Sequence, residues 1–161
     1  MASIYNDIRA ALETKLAATS NLPAIAYENV PFSPTTGTPF LKTQFVPTLR
    51  RPAVMGLNPQ QRYQGVFSVT VFTPEGNGPG SAEGYVGTII NAFEAATSIY
   101  YDNVNDALLT EDEAFIVLES GGRTLLDNVT YVSIDYAERQ LALMDSPWFY
   151  VPVDIGWYIY E

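Results

Sequence analysis

The chain has 161 residues, 47% of them hydrophobic and only 16% charged. That is the size of one domain, spanning 1–161, and it is long enough to bury a sizeable core. It holds no Cys and no His, which excludes disulfides, zinc and iron–sulfur centres, thiol nucleophiles and any mechanism with an imidazole base.

The net charge of −10 conceals a division along the chain. Residues 1–62 carry six basic and three acidic side chains, whereas residues 63–161 carry two basic and fifteen acidic ones. Such an acidic chain is expected to stay soluble and to bind no nucleic acid non-specifically. The first twenty residues mix polar and apolar types, so no secretory signal is expected. No apolar run reaches the length of a membrane span. Asn128-Val129-Thr130 fits a glycosylation acceptor, a chance match where no secretory signal is expected.

Ile4, Ile8, Leu12 and Leu16 recur every four residues and predict a helix over 4–18, with Ser3 as its cap and Asn21 and Pro23 ending it. Ala24–Val30 reads as a short extended segment. Leu41, Thr43 and Phe45 alternate with polar neighbours and predict a strand. Residues 47–62 have no clean period and carry Pro47, Pro52 and Pro59, so they read as a long loop, functional or disordered. Tyr63–Thr73 is apolar or neutral on both faces, which predicts a central strand. The run 75–80 is a turn-rich connection with no P-loop Lys.

Ser81 opens a second helix with a stripe of Tyr85, Val86, Ile89, Ile90, Phe93 and Ala96, running to about Thr97. Residues 98–113 read as irregular and acidic. Phe115–Leu118 is a short strand candidate, Gly121-Gly122 suits a hairpin turn, and Val129–Tyr136 is another strand candidate. Asp135 to Met144 is either a capped helix start, with Asp135 and Glu138 as a capping box, or a hairpin loop. The strand 148–160 is the clearest element after the first helix. Phe149, Val151, Val153, Ile155, Trp157 and Ile159 alternate on one face, with Trp148, Tyr150, Asp154, Tyr158 and Tyr160 on the other. Pro152 cannot donate a ladder bond, which predicts an edge strand or a bulge, and so long an aromatic edge asks for a covering subunit. The fold class expected is α+β: a mostly antiparallel mixed sheet with two helices on one face, a two-layer sandwich.

Three groups could carry function. Asp102, Asp106, Asp112 and Glu113 could hold Ca²⁺ or supply a glycosidase pair, but they match no EF-hand loop and read better as a solvated acidic loop. Lys42, Arg50, Arg51 and Arg62 read as a contact with an acidic protein surface, because the chain has no dense basic stripe for nucleic acid. Tyr150, Tyr158 and Tyr160 are candidate interface residues on the last strand. No catalytic residue, metal ligand or cofactor is expected.

The order of these segments resembles a known family. A short first helix leads to Ala26-Tyr27-Glu28-Asn29-Val30-Pro31-Phe32, then Pro34, Gly37 and Thr38-Pro39-Phe40-Leu41. Gln64 to Pro74 follows with a Gly-rich turn, then a helix with Ala92-Phe93, and the chain closes on Val151-Pro152-Val153-Asp154-Ile155. This resembles the tail-terminator-like proteins of long-tailed bacteriophages over about 1–97 and 147–161. The resemblance implies a virion structural protein and not an enzyme. It implies a ring of copies, commonly a hexamer, on the last ring of the tail tube, which stops tube growth and presents a surface to the head–tail connector. DNA would pass through without specific binding. The alternatives are a neck connector or tube subunit of the same particle and, from another class, a carboxylate-dependent hydrolase or sugar-binding module.

Overall fold

The computed structural model of the chain describes residues 3–100 and 131–161. The first helix, α1, spans Ile4–Ala18, as its four-residue apolar spacing predicts. Ile8, Ala11, Leu12 and Leu16 are its buried stripe. Ser3 stands at the N-cap, but its side chain makes no capping bond; its carbonyl accepts the N–H of Asn6 and of Asp7 instead. Asn21 adopts φ 64°, a left-handed turn that Asn tolerates, and sends the chain back to the sheet.

The described strands are β1 (Ala24–Ala26), β2 (Phe40–Pro52), β3 (Gln61–Pro74), β4 (Ser98–Tyr100), β5 (Tyr131–Arg139), β6 (Leu143–Asp145) and β7 (Trp148–Tyr160). They form one sheet in the order β1-β2-β3-β7-β5-β4, with β6 beside the start of β7. Only β1–β2 is parallel; the other pairs are antiparallel. The second helix, α2, spans Gly80–Ala92. The fold is therefore α+β with a mixed sheet, and the sheet is curled rather than flat. Bulges in β2 between Pro47 and Leu49 and in β5 between Ile134 and Tyr136 add local bend and twist.

Both helices lie against the same face. On β3 the odd residues Tyr63, Phe67, Val69 and Val71 are buried, and on β7 Val151, Val153, Ile155, Trp157 and Ile159 are. These join Ile8, Leu12 and Leu16 of α1 and Val86 and Ile89 of α2 in one core cluster. Arg9 of α1 stands over the Phe45 ring, and Arg139 of β5 grips Glu83 of α2 through two guanidinium nitrogens. Phe67 meets Phe93 just beyond α2. The opposite face of the sheet has no helix of the described residues on it.

Several expectations need correction. Residues 47–62 are not a long loop. Strand β2 continues to Pro52 and β3 begins at Gln61, with β3 still paired to β7 there, so the segment is the basic end of the sheet and an arm formed by the connection at 53–60. Prolines hid this, but Pro47 lies on the outward edge of β2, where no ladder partner needs its N–H. Strand β7 is not an edge: β3 lies on one side and β5 and β6 on the other. Pro152 is tolerated because β5 pairs only through Val153 and β6 only through Tyr150, which leaves it in the gap. Helix α2 stops at Ala92, not Thr97, and Pro79 rather than Ser81 holds its N-cap. Residues 98–100 are strand rather than irregular. Asp135–Arg139 belongs to β5, so the capping-box alternative fails. The acidic cluster 102–113, the strand at 115–118, the Gly pair 121–122 and Asn128 lie outside the described residues.

Candidate functional site

The helix-free face of the sheet and the β2–β3 arm hold all seven basic and tyrosine candidates. Register decides which of them meet. Arg51 pairs directly with Arg62 across β2 and β3, and Arg62 pairs with Tyr160 across β3 and β7. The Arg62 guanidinium lies 4.9 Å from the Tyr158 ring centroid and 5.8 Å from that of Tyr160. Those two rings meet edge-on at 5.7 Å. The electron-rich ring faces therefore hold Arg62 beside a second cation, where bare repulsion would splay the pair. The Nε of Arg62 is buried and has no hydrogen-bond partner among the described residues.

Arg50 points to the other side and stands 5.1 Å over the Tyr63 ring. Burial raises the Tyr63 phenol above its ordinary pKa, and the neighbouring Arg50 opposes that rise. Arg51 is exposed and has no ring or carboxylate partner among the described residues. Lys42 and Tyr150 lie further along the face. Tyr150 stacks on Phe72 at 5.3 Å, Phe72 on Phe40 at 4.6 Å, and Phe40 meets Phe32 at 5.2 Å. This aromatic ladder crosses β7, β3 and β2 because Phe40, Phe72 and Tyr150 are register partners. The loop after β1 overhangs its end. Between loop and sheet is a cleft of about 590 Å³, lined by Phe32, Phe40, Phe72, Lys42, Gln44 and Glu28 among others.

Two features were not singled out in the sequence. The first is the arm's tip: Val54, Met55 and Leu57 are exposed, Met55 and Leu57 completely. Their signal was present as an apolar run around Gly56 in a segment bracketed by prolines. The second is an acidic pair. Glu138 of β5 and Asp154 of β7 stand directly opposite each other on the helix-free face. Ser68 donates to Asp154 at 2.8 Å, but no basic side chain of the described residues meets either acid. Tyr136 lies beside them, over Gly156, with its pKa raised first by burial and then by Asp154, Glu138 and Asp135. No sequence signal pairs residues sixteen positions apart on separate strands; only the register does.

No group of three or more potential metal-ligating side chains occurs among the described residues. No helix among them is long and apolar enough to cross a membrane.

An α+β chain with a helix-free sheet face and an exposed apolar tip beyond the basic end of β2 and β3 is the class that this geometry defines. A solved structure of 20% sequence identity shares the fold, with a TM-score of 0.62 over 99% of this chain and 97% of that one. No protein with a curated description matches. Residues 7–157 match the family described as phage tail terminator protein, and the chain belongs to that family. It is therefore a bacteriophage tail structural protein.

Proposed function

We propose that the chain is the terminator of a long phage tail. Copies form a closed ring, a hexamer, on the last ring of the tail tube. The ring stops tube polymerisation and offers its other side to the head–tail connector. It lies at the head-proximal end of the virion tail and assembles in the host cytoplasm. The family match over most of the chain carries this reading. The arm supports it, because an exposed apolar tip next to an unpartnered Arg51 is surface that assembly would cover.

In this reading Lys42, Arg50, Arg51, Arg62, Tyr150, Tyr158 and Tyr160 belong to contact surfaces with the tube protein or with neighbouring copies. Acidic side chains from the later part of the chain turn towards the channel, where they repel DNA phosphate and let it pass without sticking. The protein has no enzymatic activity and takes no cofactor.

Electron microscopy and native mass measurement test this. Discrete rings that cap purified tubes and arrest their growth are the expected result. Open polymers of the chain alone would mark it as a tube subunit. Rings that bind only the connector would mark a neck protein. A monomer with hydrolytic turnover or sugar binding would replace the structural reading altogether.

A further inference from the structure

The arm and the helix-free face complement each other, yet one copy cannot bring them together. The arm extends from the Pro52–Gln61 end of the β2–β3 pair, whereas the aromatic ladder lies at the Phe40–Pro74 end. About ten strand residues separate them, roughly 33 Å.

We propose that the helix-free face of one copy is the dock for the β2–β3 arm of the next. Met55 and Leu57 enter the cleft against Phe32 and Phe72, and Arg51 meets Asp154 and Glu138. Charge argues for a second copy as the occupant. Residues 29–74, which include the whole arm, contain no acid and four basic side chains. On the face, Glu138 and Asp154 oppose each other with no cation, a like-charge pairing that destabilises a sheet until a cation arrives. An arriving Arg would bridge both carboxylates through its fixed fork of donors.

Spacing argues the same way. Arg51 and Met55 are four positions apart along the arm. Phe72 and Ser68 are four positions apart on β3, and Asp154 is the register partner of Ser68. The dock separation is about 13 Å in extended strand, and the arm residues, which bend from Ala53 onwards, lie no further apart than that. By straightening on docking, the tip reaches the ladder while Arg51 reaches the acids. Because the arm and the dock are different patches at opposite ends of the β2–β3 pair, the contact is head-to-tail, the kind that makes rings when its rotation closes. This contact rests on the ring reading above and names the surface that would build it.

The absence of native cysteine makes the test direct. In a Lys42→Cys, Met55→Cys double variant, the two positions are too distant within one copy to bridge, since a disulfide needs Cα atoms within about 7 Å. Mild oxidation of the assembled protein should give a covalent ladder that continues past the dimer to the full ring. Either single variant should give dimers at most. A second measurement uses charge. Arg51→Glu or Glu138→Arg alone should weaken assembly about tenfold, the weight of one close interfacial charge pair, and the two together should restore it. Rings that form without a ladder, or a combined variant as weak as the singles, would overturn this contact and leave the ring reading intact. A chain that stays monomeric with and without the substitutions would overturn both.

Discussion

Phe45 of β2 and Trp157 of β7 stack with centroids 5.2 Å apart and planes 7° apart, although they lie on strands that are not neighbours. The strand between them, β3, permits this by carrying Gly65 beside the indole. A Cβ at Gly65 would lie 2.6 Å from the Trp157 ring and closer still to the Val46 carbonyl oxygen. The core can spread over three strands there because the middle one has no side chain at that point.

Gly65→Ala should therefore destabilise the fold, by about 3 kcal/mol, the upper range for overpacking. The colliding atoms include backbone, so no rotamer change relieves them. Urea unfolding checks this. An unchanged midpoint would show that β2 can shift at its bulge to make room.

Glu28 protects an edge. Its Oε2 accepts the Phe45 N–H at 3.2 Å and the Arg9 guanidinium at 3.1 Å. Strand β1 covers β2 only to Lys42, so the next donors on that edge need other cover. Glu28→Ala should cost about 1.5 kcal/mol, the lower end for a hydrogen bond to a charged group, because Glu28 is partly exposed. It should also raise aggregation at high concentration, read by light scattering. A variant as stable and as soluble as the parent would show that Pro47 blunts the edge by itself.

Glu13 gives a pH signature. Burial against the loop after β1 raises its pKa above 4.5, with Arg9 opposing the rise and Glu28 adding to it. A carboxyl whose folded pKa is raised favours the fold below its unfolded pKa and loses that contribution as pH rises through the folded value. Glu13→Gln should thus stabilise the protein at pH 7 and make no difference at pH 3. Thermal unfolding at both values decides this, and an equal effect at the two would assign the change to packing instead of charge.

Arg50 and Arg51 changed together to Glu should leave folding almost intact, because both side chains are exposed. Loss of the Arg50–Tyr63 contact should cost about 0.5–1 kcal/mol, the range for an exposed cation–π pair. Docking should weaken, and more at low salt, where screening is weak. Capping of tails by the double variant as efficient as the parent's, at low and at high salt, would show that the arm is not a docking element.

The sequence by itself determined the parts whose signal is local. A four-residue apolar period placed α1 over 4–18, and strict two-residue alternation placed β7 over 148–160, both with the observed bounds. The near-apolar run 63–73 was legible as a central strand, and it is one because β2 and β7 pair with both its edges; one of its faces is buried under the helices and the other only half-buried. The order of segments also pointed to the tail terminator family. Only the tertiary structure decided what depends on neighbours. A proline marks a place without a donor, and whether that place is an edge, a gap or a loop depends on what lies beside it. Pro47 therefore read as a loop although it sits on a strand edge, and Pro152 read as an edge although it fills the gap between β5 and β6. Arg51 facing Arg62 and Glu138 facing Asp154 belong to the same class: like charges far apart in the chain become neighbours only when long-range register fixes which strands pair.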